Sequence, residues 1–91
     1  MFKFEWDDHK AASNLRKHGV SFDEAVSVFG DGRALTFSDT DHSEFEDRSR
    51  TYGTSNKTRL LVVVHIERRN GIRIINARKA TRYEKSIYEN G

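Results

Sequence analysis

Basic side chains are concentrated at the end of a β-branched segment and at the start of the segment that follows it. Arg73 and Arg78 lie within residues 72–78, and Lys79 and Arg82 come directly after. A guanidinium can bind a phosphate through two parallel hydrogen bonds, whereas a lysine supplies a point charge. The pattern therefore indicates a site for an anionic group near the end of this segment.

Strand periodicity separates two of these cations. In a regular strand, alternate side chains point to opposite faces, so Arg78 shares a face with Ile74, and Arg73 lies on the other face with Ala77. We expect Arg78 to emerge from an apolar stripe and to bind phosphate. On that interpretation its replacement by alanine removes activity and leaves thermal stability nearly unchanged.

A polar loop before the second half of the chain offers candidates for proton transfer. His42 lies four residues before Glu46, and an exposed imidazole near a carboxylate titrates close to neutral pH, as acid/base catalysis requires. A single histidine in a loop is also commonly inert, so both interpretations stand. Glu46 has a further alternative, because it or Glu84 can form a structural ion pair with Arg78.

Other chemistry is less well supported. Asp39, Asp41 and Ser43 resemble the start of a calcium-binding loop, but Glu44 and Arg50 occupy the positions that require glycine and glutamate. The four histidines show no metal-ligand spacing, and the absence of cysteine removes thiolate ligands and disulfides. We therefore expect no metal site and no cofactor.

His65 has two interpretations. It lies in residues 60–66, the most apolar segment of the chain, where a histidine is commonly a core residue with a satisfied hydrogen bond. The alternative is a catalytic or ligand-contacting role.

The charge of the chain is unevenly distributed. Residues 1–56 contain 7 Lys and Arg against 11 Asp and Glu, whereas residues 57–91 contain 9 against 3, so a net charge of +2 divides into −4 and +6. The basic part, which includes Lys57 and Arg59, is suited to a phosphate backbone. A basic surface that only aids solubility is the alternative.

Periodicity predicts the elements that position these residues. Alternating aromatics before Asp7 indicate a first strand, and two short helices follow, over residues 8–18 and from Ser21 to Gly30. Ser21 with Glu24 forms the sequence pattern of a capping box.

The rest of the chain is predicted to form strands and a final helix. The strands cover residues 34–37, 48–54, 60–66 and 72–78, with Asn70-Gly71 as the hairpin turn between the last two. Thr81 and Glu84 form a second capping-box pattern and open a helix whose Tyr83, Ile87 and Tyr88 are expected to pack on the sheet.

The element order β-α-α-β-β-β-β-α predicts a single α+β domain over residues 1–91, with a small antiparallel sheet, an N-terminal helical hairpin and a C-terminal helix. The longest apolar run is five residues, far below the roughly 20 that a membrane span needs. We expect a cytoplasmic protein with no membrane contact.

Four stretches of the chain, taken in order, resemble the BrnT toxins, a branch of the RelE-like ribonucleases of bacteria. They are FEWDDHKAASNLRKHGVSFDEAVSVF, DHSEFEDR, RLLVVVHIER and IRIINARKATRYEKSIYE. The family pattern includes His42, Glu46 and Arg48 in the loop, and Arg78 and Lys79 at the junction of strand and helix. Asn76 and Tyr52 depart from it, since serine and a smaller aliphatic residue are expected there.

The resemblance implies a RelE-like fold and an endoribonuclease that inhibits translation as the toxin of a type II toxin-antitoxin system. Its partners would be RNA and a ribbon-helix-helix, BrnA-like antitoxin, through which alone the complex would contact operator DNA. RNA cleavage suits this residue set, because the 2′-hydroxyl of the substrate is the nucleophile and the protein supplies only a base, an acid and positive charge.

The residues receive the following expected roles. Arg78 and Arg48 stabilise phosphate charge, and His42 or Glu46 moves the proton. The RNA backbone is expected to contact four cations, Lys57, Arg59, Lys79 and Arg82. Two other functions remain open: an inactive interaction module that acts with the antitoxin as a co-repressor, and a simple nucleic-acid-binding protein.

Overall fold

The computed structural model describes residues 3–38 and 48–91 of the chain. Its elements in chain order are β1 (Lys3–Glu5), α1 (Asp8–His18), α2 (Phe22–Ser27) with a 3-10 turn (Val28–Gly30), β2 (Leu35–Ser38), β3 (Arg48–Thr54), β4 (Leu60–Arg68), β5 (Gly71–Lys79) and α3 (Arg82–Asn90). This order confirms the predicted α+β arrangement. The bounds of α1 and β3 agree with those predicted, and β4 extends two residues further.

The five strands form one sheet in the order β1-β5-β4-β3-β2. The pairs from β2 to β5 are antiparallel, as predicted, but β1 pairs with β5 in parallel, so the sheet is mixed. A strand that opens the chain and joins the sheet at its edge has no hairpin to fix its direction. The sequence therefore offered no signal for this pairing.

Gly71 permits the close approach of β1. It pairs with Lys3, and a Cβ atom at this position would overlap the backbone of Lys3. The hairpin before it also differs from prediction. Arg68 pairs with Gly71, so the two-residue loop is Arg69-Asn70 and not Asn70-Gly71. Gly71 therefore lies in β5 and not in the turn, at a position where a side chain would leave no room for the backbone of Lys3.

The helix ends follow the predicted capping residues. Asp7 accepts hydrogen bonds from two backbone N–H groups at the start of α1, and Gly19 ends that helix with a φ of 68°. Ser21 caps α2 by accepting from the backbone N–H of Glu24. The reciprocal half of this capping box does not form, because the Glu24 carboxylate binds Ser55 and Arg59 instead.

The main core lies between one face of the sheet and the helices α1 and α2. It contains Val20, Phe22, Ala25 and Val28 from the helical segment, packed against Leu61, Val63, Ile72, Ile74 and Ala77 from β4 and β5. These side chains are at most 8% exposed. Burial of this apolar surface is the principal stabilising contribution in a domain of this size.

A β-bulge changes which side chains of β5 share a face. Val64 pairs with Asn76 and His65 with Ile74, so Ile75 has no partner on β4. Ile74 and Ala77 consequently lie in the same core, although regular alternation separates them. The predicted faces of β5 are therefore wrong: after the bulge the phase shifts by one residue, and Arg73 and Arg78 both lie on the face away from the core.

Asn14 of α1 provides hydrogen-bond partners for the backbone of β5 beyond the residues that pair with β1. Its side-chain amide donates to the carbonyl of Ala77 at 2.7 Å and to that of Val20 at 2.9 Å, and its oxygen accepts from the N–H of Ala77 at 3.0 Å. The side-chain oxygen also accepts from Asn76. This buried amide takes the place of a neighbouring strand and fixes α1 against the sheet.

Helix α3 contacts the opposite face at one end. Thr81 and Glu84 form the predicted capping box, with both reciprocal bonds present. Tyr88 donates to Asp31 at 2.6 Å, and that carboxylate also accepts from the N–H of Thr54. Tyr83 was expected to pack on the sheet, but it is 75% exposed because it lies on the outer side of the helix. Within the described residues, no helix has the length and hydropathy needed to cross a membrane.

Candidate functional site

Four arginines lie on the sheet face away from α1 and α2, which we call the arginine face. The strand register places Arg48 opposite Ile66, and Ile66 opposite Arg73. In the next row on this face, Arg50 lies opposite Val64. In the row after that, Val62 lies between Tyr52 and Arg78. The arginines of this face are therefore Arg48 and Arg50 on β3 and Arg73 and Arg78 on β5. An apolar strip from β4 separates the two pairs.

Two of these arginines are paired with glutamates. Arg78 donates to both carboxylate oxygens of Glu84, from Nη1 at 2.7 Å and from Nη2 at 2.9 Å. Arg73 lies 3.7 Å from Glu5, a longer and more exposed contact. The contact between Arg78 and Glu84 is the structural ion pair that the sequence left open as an alternative. We now expect Arg78 to contribute to stability, because its partner is buried.

The Glu84 carboxylate is strongly favoured in its charged form. The hydrogen bonds from Arg78 are the main cause, the backbone N–H of Thr81 adds to them, and together they lower the pKa of Glu84 to about 2 despite its burial. The same pair raises the pKa of Arg78. A guanidinium has five N–H donors. Glu84 and the carbonyl of Lys79 take both N–H groups of Nη1 and one of Nη2. Nε and the second N–H of Nη2 have no acceptor among the described residues, so they are available to a ligand.

Arg48 and Arg50 differ from this pair. Among residues 3–38 and 48–91, no carboxylate lies within ion-pair distance of either side chain. The Nε atom of Arg50 is buried and has no hydrogen-bond partner among the described residues. Two positive side chains two residues apart on one face repel each other, so this end of the arginine face is suited to an anionic ligand.

The four cations expected to contact RNA lie at the other end of the sheet. Lys57 lies in the turn between β3 and β4, Arg59 follows this turn, and Lys79 ends β5 opposite Leu61. Arg82 is exposed at the first turn of α3. From the row of Arg48 to that of Arg78 is four residues along β4, or about 13 Å at the usual rise of a strand. The structure therefore separates Arg48 from this group.

Arg59 has a structural role. Its guanidinium forms an ion pair with Glu24, whose side chain is 1% exposed, and donates to the carbonyl of Gly19 at 3.0 Å. These hydrogen bonds lower the pKa of Glu24, with Arg59 as the largest cause. The pair joins the turn between β3 and β4 to α2. Nε and both N–H groups of Nη2 are directed at protein acceptors, and no described acceptor takes those of Nη1, so contact with RNA stays a prediction for Arg59.

The predicted proton-transfer residues, His42 and Glu46, lie outside the described residues. His65 is described, and it belongs to the core side of the sheet: it is 1% exposed, its Nε2 lies 2.7 Å from the hydroxyl of Thr51, and the ring of Phe29 packs edge-on at 5.0 Å. Burial lowers the pKa of His65. The core interpretation is the one that agrees with these contacts. In the described part of the chain, no three His, Asp or Glu side chains form a cluster that could hold a metal ion.

Sequence reasoning missed Arg50 and placed Arg73 and Arg78 on opposite faces of β5. A signal for Arg50 was present, because Arg48 and Arg50 are two residues apart in a predicted strand and must share a face. No such signal showed that Arg73 and Arg78 share a face, since this depends on the bulge at Ile75, which the sequence does not reveal.

The fold and the site define a small α+β protein with a mixed five-stranded sheet, one face of which carries arginines. The sequence model of the ribonuclease toxin BrnT, of type II toxin-antitoxin systems, matches residues 6–84. The chain belongs to this family. Its system therefore includes an antitoxin.

A solved structure agrees with the fold. The chain is similar to the ribonuclease toxin BrnT of Brucella abortus, known from a crystal structure at 1.1 Å resolution, with a TM-score of 0.69 and 21% sequence identity. The match covers 90% of this chain and 100% of the other. The comparison with curated proteins yields no match.

Proposed function

We propose that this chain is an endoribonuclease that cleaves RNA without a metal ion and so inhibits translation. The observation that carries the proposal is the arginine face, where Arg48 and Arg50 have no carboxylate partner among the described residues. Unpaired cations beside an apolar strip match a polyanion that also presents flat bases. Membership in a ribonuclease toxin family supplies the class of reaction.

The reaction needs no nucleophile from the protein. The 2′-hydroxyl of the substrate attacks the adjacent phosphorus, the bond to the 5′-oxygen breaks, and the products are a 2′,3′-cyclic phosphate and a 5′-hydroxyl. A base removes the proton of the 2′-hydroxyl, and an acid protonates the leaving oxygen. We assign proton transfer to His42 or Glu46, and stabilisation of the charge that develops on the reacting phosphate to Arg48. Arg78, for which the same role was expected, lies four residues further along β4, so we assign it to a neighbouring phosphate of the same RNA strand.

We give these two arginines different parts, on the basis of their positions in the sheet. Arg48 has no carboxylate partner among the described residues, so no described group competes with the reacting phosphate for its guanidinium. Arg78 lies about 13 Å further along the sheet and reaches the RNA with the donors that Glu84 leaves free. Lys57 and Arg82 then hold the backbone beyond it. Lys79 lies in the row of Leu61, on the other face of β5, so its side chain contacts the RNA only around the end of the sheet. A strand of RNA would cross the sheet from the Arg48 end to the Lys79 end.

The test is cleavage of a single-stranded RNA by the purified protein in the presence of a chelator. We expect products with 2′,3′-cyclic phosphate ends, and no cleavage at a nucleotide whose 2′-hydroxyl is replaced by hydrogen. Arg48→Gln should lower the cleavage rate about 100-fold or more, since it removes charge from the phosphate site. Arg16→Gln, on the exposed side of α1, is the matched control and should retain full activity. Cleavage of the 2′-deoxy substrate would contradict the mechanism.

We further propose that the antitoxin is of the ribbon-helix-helix, BrnA-like type, that it contacts operator DNA for the complex, and that it silences the toxin by covering the arginine face. A protein interface of about 1,200 to 2,000 Å² can reach nanomolar affinity, whereas RNA held through phosphates dissociates as salt is raised. Antitoxin and uncleavable RNA should therefore exclude each other. A stable ternary complex would contradict occlusion and indicate silencing from another surface.

A further inference from the structure

Phe37 is an exposed aromatic side chain on the arginine face. It lies on β2, the edge strand of the sheet, directly opposite Arg50 on β3. Among the described residues, only three large apolar side chains are more than a third exposed, and the other two, Leu15 and Tyr83, belong to helices. Of these three side chains, Phe37 is therefore the one that lies beside Arg48 and Arg50.

The ring of Phe37 is supported from one side. Its centroid lies 5.1 Å from that of Tyr52, with the two planes inclined at 56°, and Tyr52 is only 4% exposed. A supported ring at a sheet edge keeps its orientation while part of it stays open to solvent. Such a ring can stack against another flat group at little entropic cost.

Arg50 supplies the second half of the arrangement. Its guanidinium has no ion pair with any described carboxylate, and its buried Nε atom has no acceptor in the described part of the chain. Because Nε is closed to solvent, a ligand phosphate would bind this half-buried side chain through the terminal N–H groups of its guanidinium. The neighbouring Arg48, two residues away on the same face, adds positive charge and favours a phosphate oxygen.

We propose that Phe37 and Arg50 form a nucleotide subsite next to the reaction centre, in which one base stacks on Phe37 and the phosphate of the same nucleotide binds Arg50. A base can stack on a side chain only when it is not paired within a duplex, so this subsite selects single-stranded RNA. The inference rests on the proposed ribonuclease function, and it adds a position at which the substrate is recognised.

The experiment measures binding of 2′-deoxy-substituted, uncleavable oligonucleotides in which one nucleotide at a time lacks its base. For the wild-type protein, we expect one abasic position to weaken binding about 10-fold, the usual effect of losing one base stacked on an aromatic ring. Phe37→Leu should weaken binding of the intact oligonucleotide by the same factor and should be insensitive to loss of the base at that position. Phe37→Tyr should behave like the wild type.

Arg50 is tested in the same series through salt dependence. Arg50→Gln should reduce the slope of log affinity against log salt by about one, because it removes one phosphate contact. The matched controls are Tyr83→Leu, an exposed aromatic on α3, and Arg16→Gln, an exposed arginine on α1, and both should bind like the wild type. Thermal melts of each variant establish that it is folded.

Three outcomes separate the subsite from the proposed function. If Phe37→Leu shows the same abasic profile as the wild type while the protein cleaves RNA, the subsite is overturned and the ribonuclease function stands. If the variants weaken binding of the antitoxin but leave RNA affinity unchanged, this surface binds protein and the subsite is likewise overturned. A protein that binds RNA with the expected profile but does not cleave it would retain the subsite and refute the ribonuclease function.

Discussion

Removing the guanidinium of Arg78 should destabilise the fold, and the loss should depend on pH. Arg78 holds the carboxylate of Glu84 through two hydrogen bonds, and Glu84 is 7% exposed. In Arg78→Ala the carboxylate remains buried with fewer partners, which is costly. The lowering of the Glu84 pKa from 4.5 to about 2 corresponds to about 3 kcal/mol at neutral pH. Because the side chain of Arg78 is 34% exposed, water screens part of this, and we expect a loss of about 2 kcal/mol.

The assay is denaturant unfolding at several pH values, together with thermal melts. For a domain of this size, a loss of 2 kcal/mol lowers Tm by about 10 °C. Glu84 has a folded pKa below its unfolded value, so its contribution to stability is present above pH 4.5 and is lost as the pH falls towards 2. The difference between wild type and Arg78→Ala should therefore be full at pH 7 and should shrink below pH 4.5.

A double-mutant cycle isolates the pair. Glu84→Gln removes the charge but keeps an oxygen for the capping box with Thr81, so the coupling between Arg78→Ala and Glu84→Gln should be about 1 to 2 kcal/mol. Arg73→Ala is the matched control, because its contact with Glu5 is long and exposed, and it should cost less than about 1 kcal/mol. Zero coupling, with Arg78→Ala as stable as the wild type at pH 7, would refute this reasoning and return Arg78 to an exclusively ligand-binding role.

Three further substitutions test the fold. Asn14→Ala should cost about 2 to 4 kcal/mol in denaturant unfolding, because it leaves both backbone polar groups of Ala77 without partners; Asn14→Ala as stable as the wild type would contradict this. Gly71→Ala should displace β1 and speed amide exchange at Lys3 and Glu5, with unchanged exchange as the contrary result. Because burial lowers the pKa of His65, stability should fall as the pH drops below 6.5, and His65→Gln should lack that part of the slope.

Much of the fold follows from local patterns in the sequence. Helix α1 has a capping aspartate, a helical apolar spacing and a glycine in the left-handed conformation at its end, and all three determine its bounds locally. The central strand β4 is apolar and β-branched, so its burial on both faces is also a local property. The parallel pairing of β1 and the bulge at Ile75 depend on contacts between distant segments, so the local sequence does not predict them.

The site was predictable to a smaller extent. The sequence indicates a cluster of cations but does not distinguish those bound to protein from those free to bind a ligand. Arg59 and Arg78 have glutamate partners 35 and 6 residues away, and only the first of these pairings was unforeseen. The buried Asn14 gave no signal, because an asparagine on an amphipathic helix is ordinarily a surface residue. Which glutamate pairs with which arginine depends on the tertiary structure, and this pairing determines which arginines can bind a ligand.

The central claim is that RNA binds the arginine face, and nuclear magnetic resonance tests it most directly. Backbone amide shifts would be followed while a 2′-deoxy-substituted, uncleavable oligonucleotide is titrated into the protein at low and at physiological salt. We predict that the largest changes fall on β3 and β5 around Arg48, Arg50 and Arg78, and on Phe37 of β2, with little change along α1. Shifts concentrated on α1 and α2, with the strands of the arginine face unaffected, would contradict the account.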